Sequence, residues 1–272
     1  MGLGLLGRGV GDAAFLAECG AKLTITDLKT KEQLRPSLKK LRKYKNVRFV
    51  LGRHRLGDFR NCDMVLKAAG VPLDSPYIKE ARKNKIPVEM SSSLFAKLAS
   101  IPIIGVTGTR GKSTVAYLIH HILKSAGKKV FLGGNILGVS TLAFLSKTKQ
   151  HDYAVLELDS WQLQGFGDFK LSPHISVFTT FLPDHMIYYK NNMKKYFADK
   201  ANIFKYQKKE DVLIAGRQVY PVIKKYKGKI KSKIIIPKGK LPKGWKFPLP
   251  GKHNEYNAAL AVGVARSLWI PD

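Results

Sequence analysis

Two glycine-rich turns, and a few acids, histidines and lysines near the ends of apolar runs, are the residues of this sequence that could do chemistry. Thr107-Gly108-Thr109-Arg110-Gly111-Lys112-Ser113-Thr114 falls between an apolar run of strand length and a segment of helical period. That is the setting of a loop whose backbone N–H groups cradle phosphates, with Lys112 neutralising them and the hydroxyl of Ser113 or Thr114 holding Mg2+. The spacing departs from G-x-x-x-x-G-K-[ST] in one place, because Val106 occupies the first glycine position. Gly2-Leu3-Gly4-Leu5-Leu6-Gly7 fits G-x-G-x-x-G, and Asp27 lies 20 residues beyond Gly7, where a ribose-binding acid belongs. Taken alone, this second turn points to a dinucleotide fold with a phosphate at a helix N-terminus. The bland alternative is a glycine turn with no ligand, and the strand expected ahead of it is missing.

The remaining candidates are weaker one by one. Glu157 lies at the carboxyl end of the apolar run 153–158, in the crevice where open α/β sheets bind ligands, and could hold a metal opposite the phosphate loop. Asp184-His185 follows the next apolar run in the same way. Single acids and histidines at strand ends are more often solvated or structural, and it is their company with the phosphate loop that raises these two. Lys200, on a helix predicted over 192–204, reads in isolation as one surface lysine among many. Asn254 and Asn257 lie three apart, on one face of the last helix, and the bland reading of this stretch is an N-cap. His120 and His121 read as surface or packing residues.

Positioning these groups falls to a chain in which strand-length apolar runs alternate with helix-period segments, the signature of βα units and a parallel sheet. The glycine turn over 2–11 should lead into a helix through Ala13 to Ala17, stopped by Gly20, and then a strand over 22–27. A strand over 63–67 precedes Gly70, and a helix near 76–85 follows. These form a small α/β domain over 1–97. The second domain, 98–272, opens with a continuous apolar strand over 101–106, as expected where both faces of a parallel sheet are covered. In the helix after the phosphate loop, Val115, Leu118, Ile119, Ile122 and Leu123 recur at i, i+3, i+4, i+7 and i+8, and Gly127 closes it. Strands are predicted at 129–132, 153–158, 175–180, 211–215 and 233–236, with a last helix over 254–268.

A net charge of +29 on 272 residues prompts a nucleic-acid partner. The excess, however, lies away from the chemistry. Residues 29–60 hold 12 Lys and Arg against 2 acids, residues 205–246 hold 14 against 2, and residues 100–200 hold 12 against 6. Few aromatic residues interleave the lysine runs, so they read as solvated faces and not as a nucleic-acid stripe. At 44% hydrophobic and 25% charged, the composition excludes a mainly disordered chain. No run reaches the roughly 20 apolar residues of a membrane helix, and the start lacks the basic region of a signal peptide, so no membrane partner is expected. Cys19 and Cys62 stand far apart and support neither a disulfide framework nor a zinc ribbon, which makes a reducing cytoplasm the expected location.

Taken together the motifs resemble those of one family, the ATP-dependent muramyl ligases of peptidoglycan synthesis. The resemblance rests on residues 107–114, Gly-Gly-Asn at 133–135, Glu-Leu-Asp-Ser-Trp-Gln-Leu at 157–163, Pro-Asp-His at 183–185, Ala-Asp-Lys-Ala-Asn-Ile-Phe at 198–204 and Gly-Lys-His-Asn-Glu-Tyr-Asn at 251–257, in the family's order and approximate spacing. It covers nearly the whole chain. It implies a Rossmann-like N-terminal domain followed by a P-loop-type, mainly parallel α/β ATPase domain. Within the family, the Rossmann-like start and the Glu-Leu-x-Ser-x-Gln-Leu string look like the branch that adds D-glutamate to UDP-N-acetylmuramoyl-L-alanine through an acyl phosphate.

On this resemblance, Leu5, Leu6, Asp27 and Gly70 would surround the uridine diphosphate sugar, and Asn135 would meet the substrate. Gly108, Thr109, Arg110, Gly111, Lys112, Ser113 and Thr114 would take the ATP phosphates, with Asn254 and Asn257 contacting ATP. Ser113, Thr114 and Glu157 would hold one Mg2+. His185 and Lys200 would serve a second, the lysine as its carbamate. Lys112, His185 and Lys200 would be the catalytic residues. Arg110 stands where the family usually has Asn, Asp159 where Ser is usual, and Met-Ile-Tyr-Tyr after His185 where an acid and an arginine are usual. The family's first strand and its C-terminal domain, which closes over ATP and binds the incoming amino acid, have no counterpart here. The expectation is a fragment that binds ligands without turnover, its missing domain supplied by a separate chain; measurable glutamate ligation by the chain alone would disprove it. Three other readings stay open: an NAD(P)-dependent oxidoreductase resting on G-x-G-x-x-G, a basic P-loop nucleic-acid ATPase resting on the charge, and a degenerate ligase acting as a binding module.

Overall fold

In the computed structural model, which describes residues 1–226, 228–239, 241, 244–245 and 247–271, apolar runs and helix-period segments become alternating strands and helices. Asp272, the expected end of the second domain, and four lysines of the 205–246 run lie outside the described residues. The chain divides into two compact units, Met1–Leu98 with Leu137–Ser146, and Ala99–Ile136 with Lys147–Asp272. The segment Leu137–Ser146, inside the second domain by sequence, thus belongs to the first unit.

The first unit runs α1 (Arg8–Glu18), β1 (Leu23–Asp27), α2 (Arg35–Leu41), β2 (Val47–Leu51), β3 (Val65–Leu66), α3 (Pro76–Lys83), β4 (Val88–Glu89) and α4 (Ser91–Leu98). β1 pairs with β2 and β3 with β4, both parallel. Met1 and Gly2 lie between the two pairs. The Gly2 N–H donates to the Thr26 carbonyl (2.8 Å), and the Ala68 N–H donates to the Met1 carbonyl (2.9 Å). Helix α1 starts at Arg8, inside the stretch expected as a turn, because Gly7 caps it at a left-handed φ of 83°. Helix α3 stops at Lys83, two residues short of expectation, where Lys85 turns left-handed at φ 57°. Val10, Ala13, Ile25 and Leu41 form one small core and Phe59, Val65, Ile78 and Ala81 another. Asp12 is buried on the inner face of α1. Its Oδ1 accepts from the Ser91 hydroxyl (2.9 Å) and the Ser140 hydroxyl (2.6 Å), and burial pushes its pKa up.

The second unit runs β5 (Ile103–Thr107), α5 (Lys112–Ser125), β6 (Val130–Gly134), β7 (Tyr153–Glu157), α6 (Ser160–Asp168), β8 (Ile175–Phe178), α7 (Met193–Ala201), β9 (Val212–Ala215), α8 (Tyr220–Lys224), β10 (Lys233–Ile235) and α9 (Lys252–Ser267). Its sheet is wholly parallel, in the order β10-β9-β8-β5-β7-β6. β5 is buried along its length, which is why its sequence is continuously apolar and does not alternate. Val115, Ile119 and Leu123 of α5 join Ile104, Val106, Val155, Val177 and Ile214 of the sheet and Leu260 and Val264 of α9 in one core. Helix α7 ends at Ala201, short of the expected 204. The Asn202 side chain leaves the helix to donate to the Leu163 carbonyl (3.1 Å).

Candidate active site

In the second unit β5 has β7 on one side and β8 on the other, so the segments leaving three neighbouring strands share the C-terminal edge of the sheet. The phosphate loop leaves β5 there. Gly108 (φ 149°) has no room for a side chain, since a Cβ would sit 1.9 Å from Thr179 Oγ1. At Gly111 (φ 84°) it would sit 2.5 Å from Asn257 Oδ1. Only glycine lets the backbone pass so close in these conformations.

Thr179 and Thr180, just past β8, pin the loop. The Thr109 N–H donates to the Thr180 carbonyl (2.8 Å), the Arg110 N–H donates to Thr180 Oγ1 (2.9 Å), and the Thr179 hydroxyl donates to the Arg110 carbonyl. Thr109 Oγ1 also accepts from the Leu182 N–H (2.9 Å). Gly111 caps α5 without a side chain, which leaves the N-terminal N–H groups and the positive end of the helix dipole for an anion. Lys112, Ser113 and Thr114 form that first turn. The Lys112 ammonium reaches back over the loop to the Thr109 carbonyl (3.1 Å), while Arg110 is exposed.

Lys200 corrects the reading of a surface lysine. It is 1% exposed, and its Nζ donates to the Gly108 carbonyl (2.9 Å) and to Thr107 Oγ1 (3.4 Å) from beneath the loop. Burial, and then the nearby Lys112 cation, pull its pKa down to about 7. A helix position with no periodic signal gave no hint of this, because the burial is imposed by the loop above it.

Glu157, at the end of β7, is also buried, and Asn135 at the end of β6 is fastened to it. The Asn135 N–H donates to the Glu157 carbonyl (2.7 Å) and its Nδ2 to Glu157 Oε1 (3.3 Å). Gly134 (φ 84°) makes this possible, since a Cβ there would meet the Glu157 carbonyl oxygen at 2.1 Å. His185 sits at φ 53°, with its ring 4.6 Å from that of Trp161 and its Nε2 3.7 Å from Asp184 Oδ2. The Met-Ile-Tyr-Tyr departure splits: Ile187 is wholly exposed, whereas the Tyr188 hydroxyl accepts from Gln164 Nε2 (3.1 Å) and the Tyr189 hydroxyl donates to Asp199 Oδ2 (2.9 Å). Asn254 is not the N-cap of α9. Gly251 holds that place, and the Asn254 side chain donates to the Pro250 carbonyl (2.8 Å). Among the described residues no three His, Cys, Asp or Glu side chains gather as a metal site.

Asp159 has a plain structural role. It caps α6 in a reciprocal box, accepting from the Gln162 N–H (2.7 Å) while its own N–H donates to Gln162 Oε1 (3.1 Å). Asp159→Ala is expected to cost about 0.5–2 kcal/mol of stability and Asp159→Ser far less, read from denaturant unfolding. Equal losses for the two would remove the cap as the reason for this residue.

In the first unit Asp27 is 5% exposed and closes the glycine turn. Its Oδ2 accepts from the Gly4 N–H (3.0 Å) and its Oδ1 from the Lys29 N–H (2.9 Å), while the Ser37 hydroxyl donates to the Gly4 carbonyl (3.1 Å). Leu5 and Leu6 stand 54% exposed beside this turn, and Gly70 is exposed past the end of β3.

A doubly closed glycine turn in one α/β unit and a glycine loop bonded to a buried lysine in the other mark the two candidate sites of this α/β protein. Residues 106–236 match the Mur ligase middle domain, and most of the chain is similar in sequence to Mur ligases. It is 41% identical over 232 residues to a UDP-N-acetylmuramoylalanine--D-glutamate ligase of Borreliella burgdorferi strain ZS7, covering 85% of this chain and 50% of the relative. It is 32% identical over 292 residues to the protein of that name in Koribacter versatilis, covering 98% and 63%. The chain spans about half the length of the Borreliella relatives. Among solved structures, the fold is shared with the Neisseria UDP-N-acetylmuramate:L-alanyl-gamma-D-glutamyl-meso-diaminopimelate ligase (TM-score 0.64, 14% identity, 98% of this chain and 92% of that one). It is shared also with the UDP-N-acetylmuramate-alanine ligase of Thermotoga maritima (TM-score 0.56, 19% identity, 98% and 64%). No helix of the described residues is long and apolar enough to cross a membrane.

Proposed function

We propose that this chain forms the nucleotide-sugar and ATP-binding part of an ATP-dependent ligase that joins D-glutamate to UDP-N-acetylmuramoyl-L-alanine through an acyl phosphate. The observation that carries this reading is the loop 107–111, whose carbonyls accept from Lys112 and from the buried Lys200, at the uncapped N-terminus of α5. The residues fit a triphosphate: Lys112 and the N-terminus of α5 adjoin a loop whose glycines leave no space for side chains.

Ser113, Thr114 and Glu157 would hold one Mg2+, and His185 with the carbamate of Lys200 a second. When bound, such ions screen the repulsion between a substrate carboxylate and the γ-phosphate. Lys112 adds a fixed positive charge for the same purpose. A pKa near 7 leaves much of Lys200 as the free amine, the form that adds to carbon dioxide with loss of one proton to give the carbamate. Asn135, tied to Glu157, would orient the substrate, and Asn257 would touch ATP beside Gly111. In the first unit Leu5, Leu6, Asp27 and Gly70 would receive the uridine nucleotide.

Calorimetric titration with UDP-N-acetylmuramoyl-L-alanine, and separately with ATP and Mg2+, tests the reading. Saturable binding of both is expected, with none of NADH or duplex DNA. A folded chain that ignores the sugar nucleotide but binds DNA in a salt-sensitive way would overturn it.

A further inference from the structure

A buried lysine outside the phosphate loop has no part in the chemistry above. Lys67 follows β3 in the first unit and is 3% exposed. Its Nζ donates to three carbonyls of the next few residues, Val71 (3.0 Å), Ala69 (3.3 Å) and Ala68 (3.4 Å). A buried ammonium needs such partners, and one short turn supplies these three. The backbone follows from that.

In a trans peptide the C=O and the following N–H point opposite ways, and none of the peptide bonds is cis. Turning the Ala68 and Ala69 carbonyls toward Nζ therefore turns the N–H groups of Ala69 and Gly70 away from it. The Val71 carbonyl has no such counterpart, because Pro72 lacks an N–H. Neither the Ala69 nor the Gly70 N–H has an acceptor among the described residues, whereas Val71 N–H donates to the Ala68 carbonyl (3.0 Å). Gly70 is exposed, and a Cβ there would meet nothing within 4 Å, so the turn is not packed against other residues at this point. Two adjacent N–H groups with no protein acceptor past the end of a parallel strand are free to take an oxygen ligand.

We propose that Lys67 is a positioning residue that turns the Ala69 and Gly70 N–H groups outward to bind an acceptor oxygen of the uridine nucleotide. This rests on the sugar-nucleotide reading above. Nζ acts as an internal cation around which the turn is wound, so the two donors are held in place before the ligand arrives.

The test is a titration of the 15N-labelled chain with uridine and with uridine diphosphate, beside calorimetry on Lys67→Met and Ala69→Pro. The amide signals of Ala69 and Gly70 should move in step with saturation. Movement with uridine alone assigns the acceptor to the base, and movement only with the diphosphate assigns it to phosphate. Each variant should bind uridine diphosphate about tenfold more weakly while ATP affinity stays unchanged. If Lys67→Met fails to fold, Ala69→Pro, which keeps the lysine and deletes one donor, and the amide shifts of the unaltered chain decide. Binding that leaves both amides unmoved, or variants as tight as the unaltered chain, overturns the inference and spares the sugar-nucleotide reading. No binding of uridine diphosphate by the unaltered chain overturns both.

Discussion

Lys112→Met should weaken ATP binding by roughly 10- to 150-fold, the loss that follows when a charge-assisted contact to phosphate, about 1.5–3 kcal/mol, is removed. The fold should not notice. The ammonium makes a single hydrogen bond to the Thr109 carbonyl, at a half-buried position, and the loop is fixed independently by Thr179 and Thr180. Calorimetric titration with ATP and Mg2+ measures the first effect and denaturant unfolding the second. An affinity within twofold of the unaltered chain would mean that the phosphates do not lie against this lysine.

Gly108→Ala should have the largest effect on stability, about 2–5 kcal/mol, from backbone strain and overpacking acting together. The new Cβ would lie 1.9 Å from Thr179 Oγ1 and 2.9 Å from the Thr180 backbone nitrogen, so the two threonines that hold the loop must move. Gly127→Ala is the control: its φ of 76° carries a strain cost, but nothing lies within 4 Å of the added atom. Comparing the two by denaturant unfolding separates the clash from the dihedral. Equal destabilisation would show that the closeness of Thr179 is not what requires glycine at 108.

The glycine turn between β5 and α5 was readable because its signal is local: a strand, a glycine turn and a helix in unbroken succession. Glu157 was readable in the same way, at the carboxyl end of an apolar run. What escaped depends on partners far away in sequence. Lys200 was singled out only by the motif at 198–204; its burial comes from a loop 92 residues earlier, and no periodicity in its helix marks that burial. Thr179 and Thr180 look like an ordinary strand end until the loop 69 and 70 residues before them is seen to hang on their hydroxyls. Asp159 looked like a defect in a motif, yet its spacing to Gln162 was a capping box that local rules could have found. Lys67, flanked by apolar residues, was passed over, since three carbonyls that converge on one atom leave no trace in side-chain types.

Leu137–Ser146 belongs to the first unit although the chain on both sides of it belongs to the second. During synthesis, then, the first unit is still incomplete when α4 has been made, at Leu98. Until Ser140 follows, the Asp12 carboxylate has the Ser91 hydroxyl but lacks the second donor that its buried place provides for. The first unit reaches its finished form only after β5, α5 and β6 have been made. A cut placed at residue 98, where the linear sequence suggests a clean domain border, removes part of the first unit along with the second.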